Sequence, residues 1–114
     1  MRSDTGDLLQ GTLGILILKA LLAGPTHGYG IARWIEGMTD DVLRIEEGSL
    51  YPALRRLEDR RFVKSEWGLS ENNRRARFYT ITTAGRAHLR AEAAGWLRYT
   101  AAVARVLRVA PAVT

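Results

Sequence analysis

The sequence predicts a mainly helical α+β fold: a winged helix-turn-helix with a C-terminal dimerisation helix. Three observations predict it. First, Leu50, Leu54 and Leu57 recur at helical spacing within Glu46-Glu47-Gly48-Ser49-Leu50-Tyr51-Pro52-Ala53-Leu54-Arg55-Arg56-Leu57-Glu58, so one side of a short helix docks into a core. At about 100° per residue, the opposite side carries Pro52, Arg55, Arg56 and Asp59, with Tyr51 on its flank. Second, two extended runs follow, Phe62-Val63-Lys64-Ser65-Glu66-Trp67 and Ala76-Arg77-Phe78-Tyr79-Thr80-Ile81, joined by the polar loop Ser70-Glu71-Asn72-Asn73-Arg74-Arg75. Third, Leu89, Ala93, Trp96, Thr100, Val103 and Leu107 are spaced 4, 3, 4, 3, 4, a heptad seam near the C-terminus. Residues 1–82 form the winged unit and residues 83–114 the terminal helix, together one compact body.

The elements run in this order. Residues 7–23 read as a helix, stopped by Gly24-Pro25. Its apolar positions, Leu8, Leu9, Leu13, Ile15, Leu16, Ile17, Leu18, Leu21 and Leu22, cover nearly the whole circumference, so it is buried on more than one side. The second side faces another subunit; the terminal helix of the same chain is the alternative cover. Thr26 is the N-cap of a second helix over residues 27–37, with Ile31, Trp34, Ile35 and Met38 as its core stripe. Gly28 and Gly30 lower helix propensity there and allow close backbone packing. Residues 39–47 connect, with Leu43-Arg44-Ile45 extended as a short strand against the wing. The next helix spans residues 48–60. Pro52 is tolerable only in its first turn, which places the N-cap at Ser49 or just before it. Thr82-Thr83 cap the last helix, residues 84–108, which ends before Pro111. Residues 1–6 and 110–114 are expected to fray.

Bulk composition excludes several classes. The chain has 114 residues, enough for one domain with a modest core. It has no cysteine, so disulfides and thiolate metal sites are excluded. Its polar, acidic start predicts no signal peptide, and its apolar runs fall short of a membrane span, so a cytoplasmic protein with no membrane partner is expected. The charge of +5 is uneven. Residues 1–47 hold four basic and seven acidic side chains, whereas residues 48–77 hold eight and four, and residues 78–114 five and one. The basic excess begins with the third helix, as a polyanion partner requires. An arginine-rich surface is the alternative source, since fifteen of the seventeen basic residues are Arg.

Catalysis finds little support. The two histidines, His27 and His88, lie on different elements, and no phosphate loop, nucleophile elbow or His/Cys metal spacing occurs. No catalytic, metal or cofactor residue is assigned. Asp40-Asp41 and Glu46-Glu47 read as solvated loop charges, the latter pair favouring a helix N-terminus. His27 beside a helix start reads as structural, and Trp34 and Trp67 as ordinary packing.

The DNA-binding set is better supported. A helix in the major groove reads base edges through outward residues near its N-terminus. Here those are Ser49, Tyr51, Pro52 and Arg55. Arg55 can pair bidentately with guanine; Ser and Tyr hydroxyls reach phosphate oxygens. Arg56, farther round, reaches the backbone. Asn73, Arg74, Arg75 and Arg77, with Asn72, suit phosphate or minor-groove contact from the wing. Leu13, Leu16, Leu89, Ala93, Trp96, Thr100 and Val103 are the candidate dimer and ligand surface. Trp96 on a two-fold seam either leaves a flat slot for a planar hydrophobic effector or simply anchors the interface.

Several of these stretches resemble the PadR family of bacterial transcription regulators. The similar segments are Gly11-Thr12-Leu13, Leu16-Ile17-Leu18, His27-Gly28-Tyr29-Gly30-Ile31, residues 47–58, Asn73-Arg74-Arg75-Ala76-Arg77-Phe78-Tyr79 and Thr82-Thr83-Ala84-Gly85. The resemblance covers residues 8–108 and is to short members with one C-terminal helix. It implies a homodimer on double-stranded DNA, repression of promoters, and release by a small molecule held near Trp96. It also implies a stiffer wing tip, because Asn72-Asn73 stand where many relatives carry glycines. The expected function is a sequence-specific repressor that binds a pseudo-palindromic operator as a homodimer. The rivals are a winged-helix protein-interaction module without specific DNA binding, and a ligand carrier.

Overall fold

The computed structural model describes Leu9 and residues 11–110. Helix α1 spans Leu13–Ala20 and continues as a 3-10 turn over Leu21–Ala23. It is shorter than the periodicity suggests. The chain turns at Gly11-Thr12, where the Thr12 amide and hydroxyl both donate to the Leu9 carbonyl. A Ser or Thr that bonds to nearby backbone competes with helix in this way. Asp7, Leu8 and the expected frayed ends at 1–6 and 111–114 lie outside the described residues. The stop at Gly24 is as expected: its φ of +138° is one that L side chains rarely adopt.

Strand β1, Thr26–His27, precedes helix α2, Gly28–Met38. The expected cap is displaced by one residue. Thr26 is committed to the sheet, and the His27 Nδ1 accepts from the Gly30 amide at 3.0 Å. His27 is therefore structural. The α2 core stripe also differs: Ile31, Ala32 and Ile35 are buried, whereas Trp34 is 39% and Met38 66% exposed. The stripe is narrower than 3.6-residue spacing permits: α2 packs against α1, α3 and the sheet through Ile31, Ala32 and Ile35, and Trp34 and Met38 fall outside that contact.

The connector contains no strand. Its amides are taken by side chains instead: Leu43 N donates to the Thr39 Oγ1, and Ile45 N donates to the Glu36 carboxylate at 2.9 Å. Glu36 is buried, so this bond holds the helix-turn-helix corner. Asp40 and Asp41 turn the chain through the left-handed region, which Asp tolerates better than most residues. The third strand of the sheet is β1, not Leu43-Arg44-Ile45.

Helix α3 spans Glu47–Asp59 and buries Leu50, Ala53, Leu54 and Leu57. Its N-cap is Glu46, so Pro52 is the sixth helical residue and not in the first turn. The helix tolerates it because the Gly48 carbonyl, left without its amide partner, lies on an exposed residue. Strands β2, Val63–Leu69, and β3, Arg75–Ile81, form an antiparallel hairpin, and the sheet order is β1-β3-β2. Helix α4 spans Thr83–Arg108, with Thr82 as its N-cap: the Thr82 Oγ1 accepts from the Gly85 amide and donates to the Arg61 carbonyl.

The core is single. Leu13, Ile17, Leu18 and Leu21 of α1 meet Ile31, Ile35, Leu54, Val63, Ile81 and Leu89. Three helices of its own chain thus cover much of α1, leaving Ile15 and Leu16 half-buried. By contrast α4 buries only Gly85 and Leu89, and its distal half extends from the body, whose long dimension is 63 Å.

Candidate nucleic-acid interface

The hairpin register puts Val63, Ser65, Trp67 and Leu69 on the same face as Ile81, Tyr79, Arg77 and Arg75. Chemistry grades along that face. At its root Val63, Ile81 and Tyr79 are buried in the core. At mid-length, Ser65 and Arg77 meet Glu58 from the last turn of α3. At the tip the Trp67 ring lies beneath two guanidinium groups, Arg75 at 4.6 Å and Arg77 at 5.5 Å from its centroid. Trp67 is 56% exposed. It is therefore not ordinary packing, as its strand-end position suggested, but the platform on which the wing's arginines lie.

The outward surface of α3 is also as the wheel predicts. Ser49, Tyr51, Pro52, Arg55 and Arg56 are all exposed. They do not share one direction. Tyr51 lies on the wing side, where a groove of about 640 Å³ runs between the hairpin and the start of α2 and is lined by Tyr51, Tyr29, Trp67, Arg74, Arg75 and Arg77. The Tyr51 ring packs over Gly28: a Cβ there would stand 2.7 Å from the phenol oxygen. A side chain at Gly28 would displace the Tyr51 ring from this position. Ser49 and Arg56 lie on the other flank, around a depression with Leu13 and Pro52. Arg56 also borders a cavity of about 300 Å³ between α3, α1 and α4, together with Arg60, His88, Glu92 and Trp96.

At the wing tip Asn72, Asn73, Arg74 and Arg75 are exposed. Asn73 adopts φ +59°, and its amide donates to the Ser70 carbonyl at 2.8 Å. Asn occupies a left-handed position more readily than other non-glycine residues, so the turn closes without glycine. Arg77 differs from its neighbours. Its Nε donates to the Ser65 hydroxyl at 2.7 Å, and its Nη2 lies 3.7 Å from the Glu58 carboxylate. The Ser65 hydroxyl donates in turn to that carboxylate at 2.7 Å. Sequence reading missed this relay. Period-two alternation puts Ser65 and Trp67 on one face, but pairing them with Arg77 needed the hairpin register. Burial raises the Tyr79 phenol above its ordinary pKa, and the Glu58 charge adds to this while Arg77 opposes it. The phenol stays neutral to higher pH than a free tyrosine.

The apolar candidates divide between core and surface. Leu13 and Leu89 are buried in their own chain and leave little surface for a partner. Leu16, Ala93, Trp96 and Val103 are half-buried, and Thr100 is exposed. Trp96 meets Tyr99 edge-on at 5.9 Å. Leu97, Tyr99, Val106 and Leu107 are exposed, Leu107 by 77%. Among the described residues no cluster of His, Asp and Glu is suited to a metal ion, and no helix is long and apolar enough to cross a membrane.

Comparison with known proteins shows the family and the fold. The family model described as Transcriptional regulator PadR-like family matches residues 17–91. A protein of Lysinibacillus sphaericus is 30% identical over 83 residues, covering 73% of this chain and 76% of its own. Among solved structures, a transcriptional regulator from Clostridium thermocellum superposes with a TM-score of 0.77 at 30% identity, over 87% of this chain and 96% of its own. A PadR family transcriptional regulator from Eggerthella lenta gives 0.72 at 31% identity, over 91% and 88%.

Proposed function

The chain belongs to the PadR-like family of transcriptional regulators, and from that premise we propose that it binds a specific operator as a homodimer and represses transcription. One observation carries this reading: Arg55 on α3 and Arg74 and Arg75 on the wing are all exposed, and Tyr51 of α3 shares a groove with Arg74 and Arg75 of the wing. An α-helix fits the major groove of B-DNA, and a cationic hairpin beside it meets the adjacent backbone. Arg55 reads a base; Tyr51 and Ser49 meet phosphates; Pro52 makes apolar contact. Two such units place their α3 helices roughly one helical turn, or ~34 Å, apart, so the operator is an imperfect palindrome.

The uncovered apolar residues of distal α4 support the homodimer. A helix that buries two residues of twenty-six in its own chain needs a second surface. The half-buried Trp96 and Val103 lie along that surface. Trp96→Ala is expected to shift the dimer toward monomer at sub-micromolar concentration, measured by analytical ultracentrifugation. A tight, monodisperse dimer in the variant would remove Trp96 from the interface. Release by a small planar effector is the same surface's second proposed role, with Trp96 as the stacking partner.

Fluorescence anisotropy against the chain's own upstream DNA and a shuffled duplex, from ~50 to 200 mM salt, tests the function. Preference for the native fragment with a steep salt slope is expected. Absence of binding to either at low salt would replace it with a protein-interaction role. In the same assay Arg74→Ala with Arg75→Ala is expected to weaken all sequences alike and lower the salt slope by ~1–2. An unchanged slope would take the wing off the phosphates.

A further inference from the structure

We propose that Glu58 is a positioning residue: through Ser65 and Arg77 it sets the angle between α3 and the wing, and so supports DNA affinity against the sign of its own charge. The proposal rests on the DNA-binding reading above. Three elements converge on one carboxylate. Glu58 comes from the last turn of α3, Ser65 from β2 and Arg77 from β3. The Ser65 hydroxyl bridges the other two, accepting from the Arg77 Nε and donating to the Glu58 carboxylate, both at 2.7 Å. The Arg77 Nη2 closes the triangle at 3.7 Å.

Position makes this relay a hinge restraint. Nearer the root, the hairpin is held by buried Val63, Tyr79 and Ile81. Farther out, a groove opens between Tyr51 of α3 and the hairpin, lined by Trp67, Arg74 and Arg75. The relay joins α3 to both strands at mid-length, short of the cationic tip. Arg77 also lies over the Trp67 ring on which Arg75 rests, so fixing Arg77 fixes the platform that presents Arg75. An ion pair this exposed, 43% and 36% at its two side chains, contributes little to stability by itself. Its consequence is geometric. It also assigns Arg77 a different role from Arg74 and Arg75: its charge is partly matched by Glu58, and it orients rather than contacts.

The test exploits sign. Glu58→Ala and Glu58→Gln remove the same negative charge near DNA. If charge alone mattered, both would bind the operator more tightly, and equally. A positioning role predicts the reverse for Glu58→Ala, a loss on the order of fivefold, the worth of one hydrogen bond. Glu58→Gln keeps an oxygen that accepts from the Ser65 hydroxyl and recovers part of the loss. Ser65→Ala, with no charge change, weakens binding similarly, and the Glu58→Ala, Ser65→Ala double variant is no worse than either single one. Equal tightening by both Glu58 variants would overturn the proposal.

Amide hydrogen exchange of the free protein separates this proposal from the function it rests on. Exchange over β2 and β3 beyond Ser65 is expected to accelerate in Glu58→Ala and Ser65→Ala, with the core amides unchanged. Unaltered wing exchange overturns the relay whatever the protein binds. Failure of the unmodified protein to bind DNA would overturn the function and the affinity half of this proposal, with the restraint judged on exchange alone.

Discussion

Gly85→Ala is expected to lower the melting temperature by on the order of 10 °C, although alanine is the better helix former. Gly85 is the third residue of α4. A Cβ there would stand 2.1 Å from the Phe62 carbonyl oxygen and 2.8 Å from the Ile81 side chain. Neither neighbour is free to yield. Phe62 is pinned at both ends, its amide donating to the Leu57 carbonyl at 2.9 Å and its carbonyl accepting from the Thr82 amide at 3.0 Å. Helix propensity favours alanine by about 1 kcal/mol. Overpacking against fixed backbone costs about 3 kcal/mol, at the upper end of its usual range, so the clash prevails. Gly37→Ala is the control. It is also helical, nothing lies within 4 Å of its Cβ position, and the change should be neutral or mildly stabilising. Thermal unfolding followed by circular dichroism reads both. A higher melting temperature for Gly85→Ala would mean that α4 does not approach Phe62 this closely.

Arg55→Ala is expected to weaken operator binding by ~1–3 kcal/mol and to relax preference at one base position. The helical wheel puts Arg55 near the centre of the outward face of α3, between Tyr51 on the wing side and Arg56 on the α1 side. It is exposed, and among the described residues it forms no ion pair. Its guanidinium therefore keeps its full donor set for a base edge. Titrating the variant against cognate and shuffled duplexes separates base reading from charge. A fall in cognate affinity alone marks a base contact. An equal fall for both marks a phosphate contact, and an unchanged ratio removes Arg55 from sequence readout.

Much of this molecule was legible residue by residue. The Leu50, Leu54 and Leu57 stripe, the outward arginines, the stop at Gly24 and the Thr82 cap are local facts: each depends on helical spacing or on one side chain meeting nearby backbone. Boundaries that moved did so through non-local partners. The α2 cap lies at His27 because β3 draws both Thr26 and His27 into the sheet from more than fifty residues away, and the His27 imidazole is the side chain that reaches the Gly30 amide. The Leu43-Arg44-Ile45 strand did not form because Glu36 and Thr39 satisfy that segment's amides. Trp67 seemed ordinary until the hairpin register laid it beneath Arg75 and Arg77.

By itself, then, the sequence determined the winged helix-turn-helix, the order of its elements, the PadR-like kinship and the side chains offered on the third helix. Periodicity and capping are short-range and survive in one dimension. Only the tertiary structure decided which arginines are free and which is tethered. Arg74 and Arg75 remain exposed at the tip, whereas Arg77, two residues on, is bound through Ser65 to a carboxylate nineteen positions earlier. That difference lies in a cross-strand register and a helix-to-hairpin distance, neither of which any local pattern encodes.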